Sequence, residues 1–157
     1  AERAFELTRA VVTDVRSTRA RYRISPKEQL RVVVCAHSAE VADAMAPMAA
    51  FAASLANASA VEVAEGAAKP EGSIALAGPD FDAYVVVGDL VDFAAERARI
   101  EKTVAKAEKE LAGAEKTLAN EGFVAKAAPE VVAKKRERAE ELRAEIAALT
   151  AQLADFA

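Results

Sequence analysis

The chain has 157 residues and a net charge of −4, and 53% of its residues are apolar while only 5% are aromatic. Much of the apolar content is alanine, which buries little area, so the composition favours close-packed helices over a core of aromatic side chains. No run of about 18 apolar residues occurs, so no transmembrane helix is expected, and the net charge argues against a uniformly basic nucleic-acid binder. The single cysteine, Cys35, excludes an internal disulfide and fits a reducing compartment.

The first segment predicts a helix over residues 2–20, because apolar residues from Ala4 to Val15 recur at helical spacing. Arginines form a second stripe on another face of this helix. They can be the solvated flank of a surface helix or a row of phosphate contacts, since the arginine fork matches phosphate oxygens. Both interpretations stay open for the members of the stripe, Arg9, Arg16, Arg19 and Arg23.

The middle of the chain predicts a small unit with one helix against a sheet of three or four strands. Pro26 ends the first helix, because the residue before a proline is pushed out of the helical region. Ser38 is a candidate N-cap for a second helix over residues 39–57, which Pro47 should kink or split. Short apolar or alternating runs bounded by Gly, Pro or Asp predict the strands. These candidates cover residues 30–37, 59–65, 72–78 and 81–88.

From Leu90 onward the apolar period changes to alternating spacings of three and four, which is typical of a coiled coil. One series runs from Leu90 to Leu118 and a second runs from Val132 to Phe156. The two series match when the second is folded back on the first, because the numbers of paired residues then sum to 249 or 250. The predicted pairs are Leu118 with Val132, Leu111 with Ala139, Ala107 with Leu142, Val104 with Ile146, and Phe93 with Phe156.

The segment between the two series, "LANEGFVAKAAPE", predicts a helix end followed by a new helix. Gly122 is expected to supply the left-handed residue that terminates the first helix, with Phe123 contacting Leu118. Pro129 suits the first position of the returning helix. A helix cap of this kind does not explain Val124 or Lys126.

Charge is distributed unevenly along this second half. Residues 102–138 hold nine Lys or Arg against six Asp or Glu, whereas residues 91–101 and 139–157 hold three against seven. A basic, partly apolar tip with an acidic base suits contact with a polyanion. Solvation and pairing between helix neighbours can also produce alternating charges, so this alternative remains.

The stretch "LANEGFVAKAAPEVVAKKRERAEEL" closely resembles the C-terminal coiled-coil arm of bacterial valyl-tRNA synthetase, with its N-E-G-F-V-A-[KR]-A-P run. "GDLVDFAAERARIEK" resembles the family's approach to the arm, and "VRSTRARYRISPKEQL" resembles its join to the anticodon-binding domain. Three positions depart from the family pattern. Arg21 stands at a usual acid, Asp89 replaces a usual glycine, and one alanine is inserted at 127–128.

The resemblance implies a tRNA-binding C-terminal portion of an ATP-dependent valine–tRNA ligase, whose arm reaches the corner where the D and T loops of tRNA meet. Its implied partners are valine tRNA and the rest of the parent synthetase, in the cytoplasm, as a monomer without membrane contact. Basic residues would contact phosphates, while Phe123 and Val124 would pack on exposed bases or riboses. The candidate nucleic-acid-binding residues are Arg16, Arg19, Arg23, Lys116, Phe123, Val124, Lys126, Lys134 and Arg138.

The sequence predicts no catalytic residue, no metal site and no cofactor. The HIGH and KMSKS signatures of class I synthetases are absent, and no His, Cys and Asp cluster has metal-ligand spacing. The single histidine, His37, is interpreted as a structural residue at a strand end, and Cys35 as a buried small apolar side chain. The fragment alone should therefore be inactive as a ligase.

The predicted fold class is α+β, with a small mixed α/β unit and a long antiparallel two-helix coiled-coil hairpin. Residues 1–24 are assigned to the terminal helix of the anticodon-binding domain, residues 25–89 to the α/β unit, and residues 90–157 to the arm. The alternative function is a coiled-coil module that binds other proteins without binding RNA. A small enzyme would require a polar cluster in the α/β unit, which the sequence does not contain.

Overall fold

The structure, a computed structural model, describes residues 1–156 apart from the side chain of residue 155. The chain divides into two compact units, Ala1–Asp92 and Phe93–Ala157. The first unit combines helices with a four-stranded sheet, and the second unit is helical. None of the helices in the described residues is both long and apolar enough to cross a membrane.

The sheet of the first unit is mixed and has the strand order β2-β1-β4-β3. Strand β1 pairs in parallel with β2 and antiparallel with β4, and β4 pairs antiparallel with β3. The four strands predicted from the sequence are confirmed, with ends shifted by up to two residues. Their bounds are Leu30–Ala36 for β1, Ala58–Glu65 for β2, Ser73–Leu76 for β3 and Phe81–Val86 for β4.

Helices α2 (Ala39–Met45) and α3 (Ala49–Ala56) connect β1 to β2. A 3₁₀ turn over Ala46–Met48 separates them and contains Pro47. Proline cannot donate a backbone hydrogen bond and its ring clashes with the preceding turn, so the predicted split of this helix at Pro47 is confirmed. The Ser38 side chain accepts a hydrogen bond from the Val41 amide at 3.2 Å, as expected of an N-cap.

Helix α1 (Glu2–Tyr22) packs in the same unit, against α2, α3 and β4. The expectation of one helix against the sheet was therefore incomplete. Leu7, Val11 and Val15 are buried on α1, as the apolar spacing predicted. Burial also extends to Thr8, Val12, Thr18, Arg19 and Tyr22, because α1 has two neighbouring layers to contact.

The second unit contains two long helices, α4 (Phe93–Ala119) and α6 (Pro129–Leu153), which pack against each other. The short helix α5 (Glu121–Lys126) lies between them in the chain, and a 3₁₀ turn over Ala154–Phe156 follows α6. The predicted contact of Phe93 with Phe156 is confirmed, with ring centroids 5.7 Å apart in an edge-to-face arrangement. The buried residues of the two long helices are Ile100, Ala107, Val132, Ala139 and Leu142.

Candidate nucleic-acid interface

The segment between α4 and α6, residues 120–128, forms what we call the tip. Helix α4 ends at Ala119, and Asn120 adopts an extended conformation before α5. The Asn120 side chain accepts a hydrogen bond from the Phe123 amide at 3.2 Å. Because an asparagine oxygen satisfies a free amide of the first helical turn, Asn120 acts as the N-cap of α5. Glu121 adds a favourable negative charge in that first turn.

The prediction that Gly122 ends the first helix in a left-handed conformation was wrong. Gly122 lies inside α5, and the glycines with positive φ are Gly66, Gly72 and Gly88. Without that residue the expected glycine cap does not form, and the contact of Phe123 with Leu118 stays a prediction. An N-cap at Asn120 restarts a helix at once, so the chain does not need a glycine cap.

The second half of the tip leads directly into α6. Ala127 and Ala128 are extended, and Pro129 is the first residue of α6, which confirms its predicted position. Phe123 and Val124 are half-buried, so each keeps part of its apolar surface exposed. Lys126 is exposed and lies in the last turn of α5. The tip therefore presents apolar surface beside an ammonium group.

Two arginines of α6 are engaged in ion pairs with glutamates. Arg138 donates to both carboxylate oxygens of Glu110 on α4, at 3.0 and 3.1 Å. These hydrogen bonds hold the pKa of the Glu110 carboxyl below its usual value. Arg143 similarly bridges Glu115 of α4 and Glu140 of its own helix. Both arginines therefore link acidic side chains on the surface of the helix pair.

The remaining basic candidates of the second unit are Lys116 and Lys134. Lys116 lies in the last turn of α4 and Lys134 in the early part of α6, and both side chains are exposed. Lys116 precedes the tip in sequence and Lys134 follows it, while Lys126 lies within it. An ammonium group on a flexible exposed stem can contact phosphates as a point charge.

Arg19 has a different environment from the other candidates on α1. It is only 9% exposed, and its guanidinium donates to the carbonyls of Ser25 and Glu28 at 2.8 Å. It also donates to the carbonyls of Ala56 and Asn57 at 3.1 Å, where α3 ends and leaves carbonyls without helical partners. These four bonds tie α1 to the end of α3 and to the loop before β1, so the guanidinium is committed within the first unit.

Arg16 and Arg23, in contrast, are exposed. Arg23 follows the last residue of α1 and adopts the left-handed conformation, with φ of 56°. The amide of Arg23 closes α1 by donating to the Arg19 carbonyl. The arginine stripe predicted from spacing is therefore divided by the fold into a buried member and exposed members.

A cavity of about 310 Å³ lies between α1 and the turn joining β3 to β4. Asp14 lines it together with Glu6 and Asp80, and burial raises the pKa of the Asp14 carboxyl to about 6. Arg3 reaches across the cavity to pair with Asp80 at 2.7 Å. His37 contacts Asp82 and the Pro79 carbonyl, both at 3.2 Å, and so is attached to the same turn. Among the side chains that the structure describes, no group of three or more His, Cys, Asp or Glu is placed to hold a metal ion.

Comparisons with known proteins bear directly on the second unit. The family model described as the tRNA binding arm of valyl tRNA synthetase matches residues 92–157. Most of the chain also aligns with valine–tRNA ligases. It is 36% identical to the enzyme of Agrobacterium fabrum over 143 residues, which is 91% of this chain.

The chain belongs to the valyl-tRNA synthetase family. Its similarity extends to the valine–tRNA ligase of Nitratidesulfovibrio vulgaris, at 37% identity over 87% of this chain. The enzyme of Rhodopseudomonas palustris is 38% identical over 83% of this chain. The aligned residues make up 15%, 16% and 13% of these three valyl-tRNA synthetases, so the chain spans a small part of their length. It corresponds to a C-terminal region of the family.

Proposed function

We propose that this chain binds tRNA and positions it for a valine–tRNA ligase whose chemistry lies in other parts of the protein. The observation that carries the proposal is the match of residues 92–157 to the tRNA binding arm of valyl tRNA synthetase. The partners in this proposal are valine tRNA and the remainder of the synthetase. The chain contributes affinity and orientation to the ligase reaction.

The second unit is proposed to act as a long antiparallel coiled-coil hairpin with the tip at its end. Support comes from the packing of α4 on α6 and from the contact of Phe93 with Phe156, which brings the start of α4 to the end of the α6 segment. At 1.5 Å per residue, helices of this length reach roughly 40 Å. In this proposal residues 90–157 form the arm, residues 25–89 the α/β unit, and residues 1–24 the end of the anticodon-binding domain.

Contacts of the arm with tRNA are proposed to be mainly to phosphates. Residues 102–138 carry nine Lys or Arg against six Asp or Glu, so the distal part of the arm has a net charge of +3. Cations at such a surface release condensed counterions when they bind a polyanion, which favours binding without reading the base sequence. Lys116, Lys126 and Lys134 are the basic residues proposed to contact tRNA near the tip.

Apolar contacts at the tip are proposed to add to the phosphate contacts. Phe123 and Val124 keep exposed surface next to Lys126. Unstacked bases in tRNA loops expose flat apolar faces, on which aromatic side chains stack. On α1, the exposed Arg16 and Arg23 are proposed as a second, smaller set of phosphate contacts. Arg19 is left out of this set because its guanidinium already holds four backbone carbonyls.

The proposal is tested by binding of labelled valine tRNA to the whole chain across a salt series. The tip variant carries Phe123→Ala and Lys126→Ala. A matched control carries Phe51→Ala and Lys27→Ala, which remove an exposed phenylalanine and an exposed lysine from the first unit. We expect wild type and control to bind with a steep salt dependence, and the tip variant to bind on the order of tenfold more weakly. Absence of binding by the wild type at low salt would contradict the proposal.

A further inference from the structure

All four lysines of α4 and its single glycine lie on one line along the helix. They recur at spacings of four, three, four and three residues, and all five positions are exposed. Each one lies two positions after a residue of the apolar series that begins at Ile100. Two positions correspond to a rotation of about 200° around the helix, so the line lies on the side opposite α6. We call this line the lysine stripe, and it consists of Lys102, Lys106, Lys109, Gly113 and Lys116.

The lysine stripe contains no acidic side chain, and the glutamates next to it lie on the two flanks of α4. The glutamates at positions 101, 108 and 115 follow one flank of α4 at intervals of seven, and Glu110 lies on the other flank. The corresponding outer face of α6 has the opposite character. Two positions after its apolar residues come Lys134, Glu141, Ala144 and Ala148. The helix pair is therefore basic along the back of α4 and neutral to acidic along the back of α6.

The lysines of the stripe are also available for binding. Among the residues that the structure describes, none of the four forms an ion pair, whereas Arg138 and Arg143 each bridge two glutamates. A cation that is already held by carboxylates must give up those contacts before it can bind a phosphate. Over the part of the chain that the structure describes, the ammonium groups of the stripe form no such ion pair, and Lys106 has only a weaker attraction to Glu110, which adds to the Arg138 hydrogen bonds in lowering the pKa of the Glu110 carboxyl.

Gly113 is an independent reason to expect a ligand on this face. A glycine in a helix interior is less stable than an alanine, because it has more conformational freedom to lose. The φ of Gly113 is not positive, and a Cβ added there would meet no atom within 4 Å. Packing within the chain therefore does not require a glycine at position 113. Close approach of another backbone to the helix would require one, because a glycine has no side chain in the way.

We propose that a sugar-phosphate backbone of the bound tRNA lies along the lysine stripe, with its closest approach at Gly113. This inference rests on the proposed function and specifies which face of the arm meets RNA. The stripe spans 15 residues, with about 21 Å along the helix between its ends, which is long enough to follow several successive phosphates. The part of the outer face of α6 that runs from Glu141 to Ala148 does not contact the RNA.

The inference is tested by two variants of equal charge change. The stripe variant carries Lys106→Gln and Lys109→Gln, and the control carries Ala144→Glu and Ala148→Glu on the outer face of α6. Each variant lowers the net charge by two. Alanine and glutamate are both good helix formers, so the control should keep the helix intact, which circular dichroism checks.

Affinity for labelled valine tRNA is then measured between about 50 and 200 mM salt. We expect the stripe variant to bind on the order of tenfold more weakly, and its log-log salt slope to be smaller by about 1.4 to 1.8, as for the loss of two phosphate contacts. The control should stay within about twofold of wild type and keep the wild-type slope. Equal losses in both variants, or no loss in the stripe variant, would overturn the inference while leaving the proposed function standing. A wild type that does not bind would overturn both.

The role of Gly113 is measured with Gly113→Ala. This change should raise the melting temperature of the second unit by about 4 °C, because alanine favours the helix. It should also weaken tRNA binding several-fold, because the added methyl group separates the two backbones. A variant that is more stable and binds as tightly as wild type would show that no close approach occurs at Gly113.

Discussion

Arg19 offers the most specific prediction for the stability of the first unit. The change Arg19→Met keeps much of the apolar stem of the side chain and removes the guanidinium. Four carbonyls then lose the guanidinium as a donor, those of Ser25, Glu28, Ala56 and Asn57, although the Ser25 carbonyl keeps the hydrogen bond that it accepts from the Glu28 amide. Only the bond to Ala56 is fully buried, so that carbonyl cannot be rehydrated, whereas water can partly replace the donor at the other three.

The expected loss follows from these environments. A buried carbonyl left without a donor costs about 1–3 kcal/mol, and each partly buried bond contributes about 0.5–1 kcal/mol after rehydration. Their sum predicts that Arg19→Met lowers the free energy of unfolding of the first unit by about 2.5–6 kcal/mol. Domains of this size are stable by roughly 5–15 kcal/mol, so the loss should be large and easily measured.

Urea unfolding followed by tyrosine fluorescence measures this loss selectively. Both tyrosines, Tyr22 and Tyr84, lie in the first unit, and the chain has no tryptophan. The control is Arg16→Met, which removes an exposed arginine from the same helix and should cost less than about 0.5 kcal/mol. If the two variants lose the same stability, the assignment of Arg19 as the link between α1 and the end of α3 would be refuted.

Three further predictions concern pH, packing and the tip. Burial raises the pKa of the Asp14 carboxyl from 3.8 to about 6, so the folded state holds this proton more tightly and loses stability as pH rises from about 4 to 6. Asp14→Asn should therefore raise the free energy of unfolding by about 1 kcal/mol above pH 6, after allowance for solvent screening, with no gain below pH 4 in urea titrations. Leu142 is 1% exposed, so Leu142→Ala should lower the free energy of unfolding by about 2–5 kcal/mol. The loss is measured as a lower midpoint of unfolding in the helical signal of circular dichroism. Asn120→Ala should speed hydrogen exchange at the Phe123 amide, whereas Asn120→Asp should preserve its protection, and equal exchange in all three proteins would contradict the capping role.

The sequence predicts the elements of this chain well, because their signals are local. Pro47 marks the split between α2 and α3 through its own covalent geometry, and the strands follow from short apolar runs between turn residues. The pairing of Phe93 with Phe156 was predictable because two series with the same period can be aligned in few ways.

Features that depend on two competing signals or on tertiary contacts were less predictable. Asn120 and Gly122 both favour a break in the helix, and the sequence does not show whether the asparagine cap or the glycine conformation prevails. Arg19 belongs to a periodic arginine stripe, but its burial depends on where α3 ends, and spacing along α1 carries no information on that position.

The lysine stripe also combines a feature that the sequence shows with one that only the placed side chains show. Its period is visible in the sequence, but the availability of its ammonium groups depends on which carboxylates pair with other cations. Arg138 is held by Glu110, which removes a residue that looks equally suitable from its position near the tip. Which basic residues are occupied by ion pairs becomes known only when the side chains are placed.

Photo-crosslinking tests the central claim, that the tip and the back of α4 contact tRNA, most directly. The photoreactive residue p-benzoylphenylalanine is introduced in place of Phe123, in place of Lys109 on the lysine stripe, or in place of Ala144 on the outer face of α6, and each protein is irradiated with valine tRNA. We predict crosslinks from positions 123 and 109 that map to the D and T loops and disappear at high salt, and background yield from position 144. Crosslinks from position 144 equal to those from 123, or none from 123 when tRNA is bound, would contradict the account.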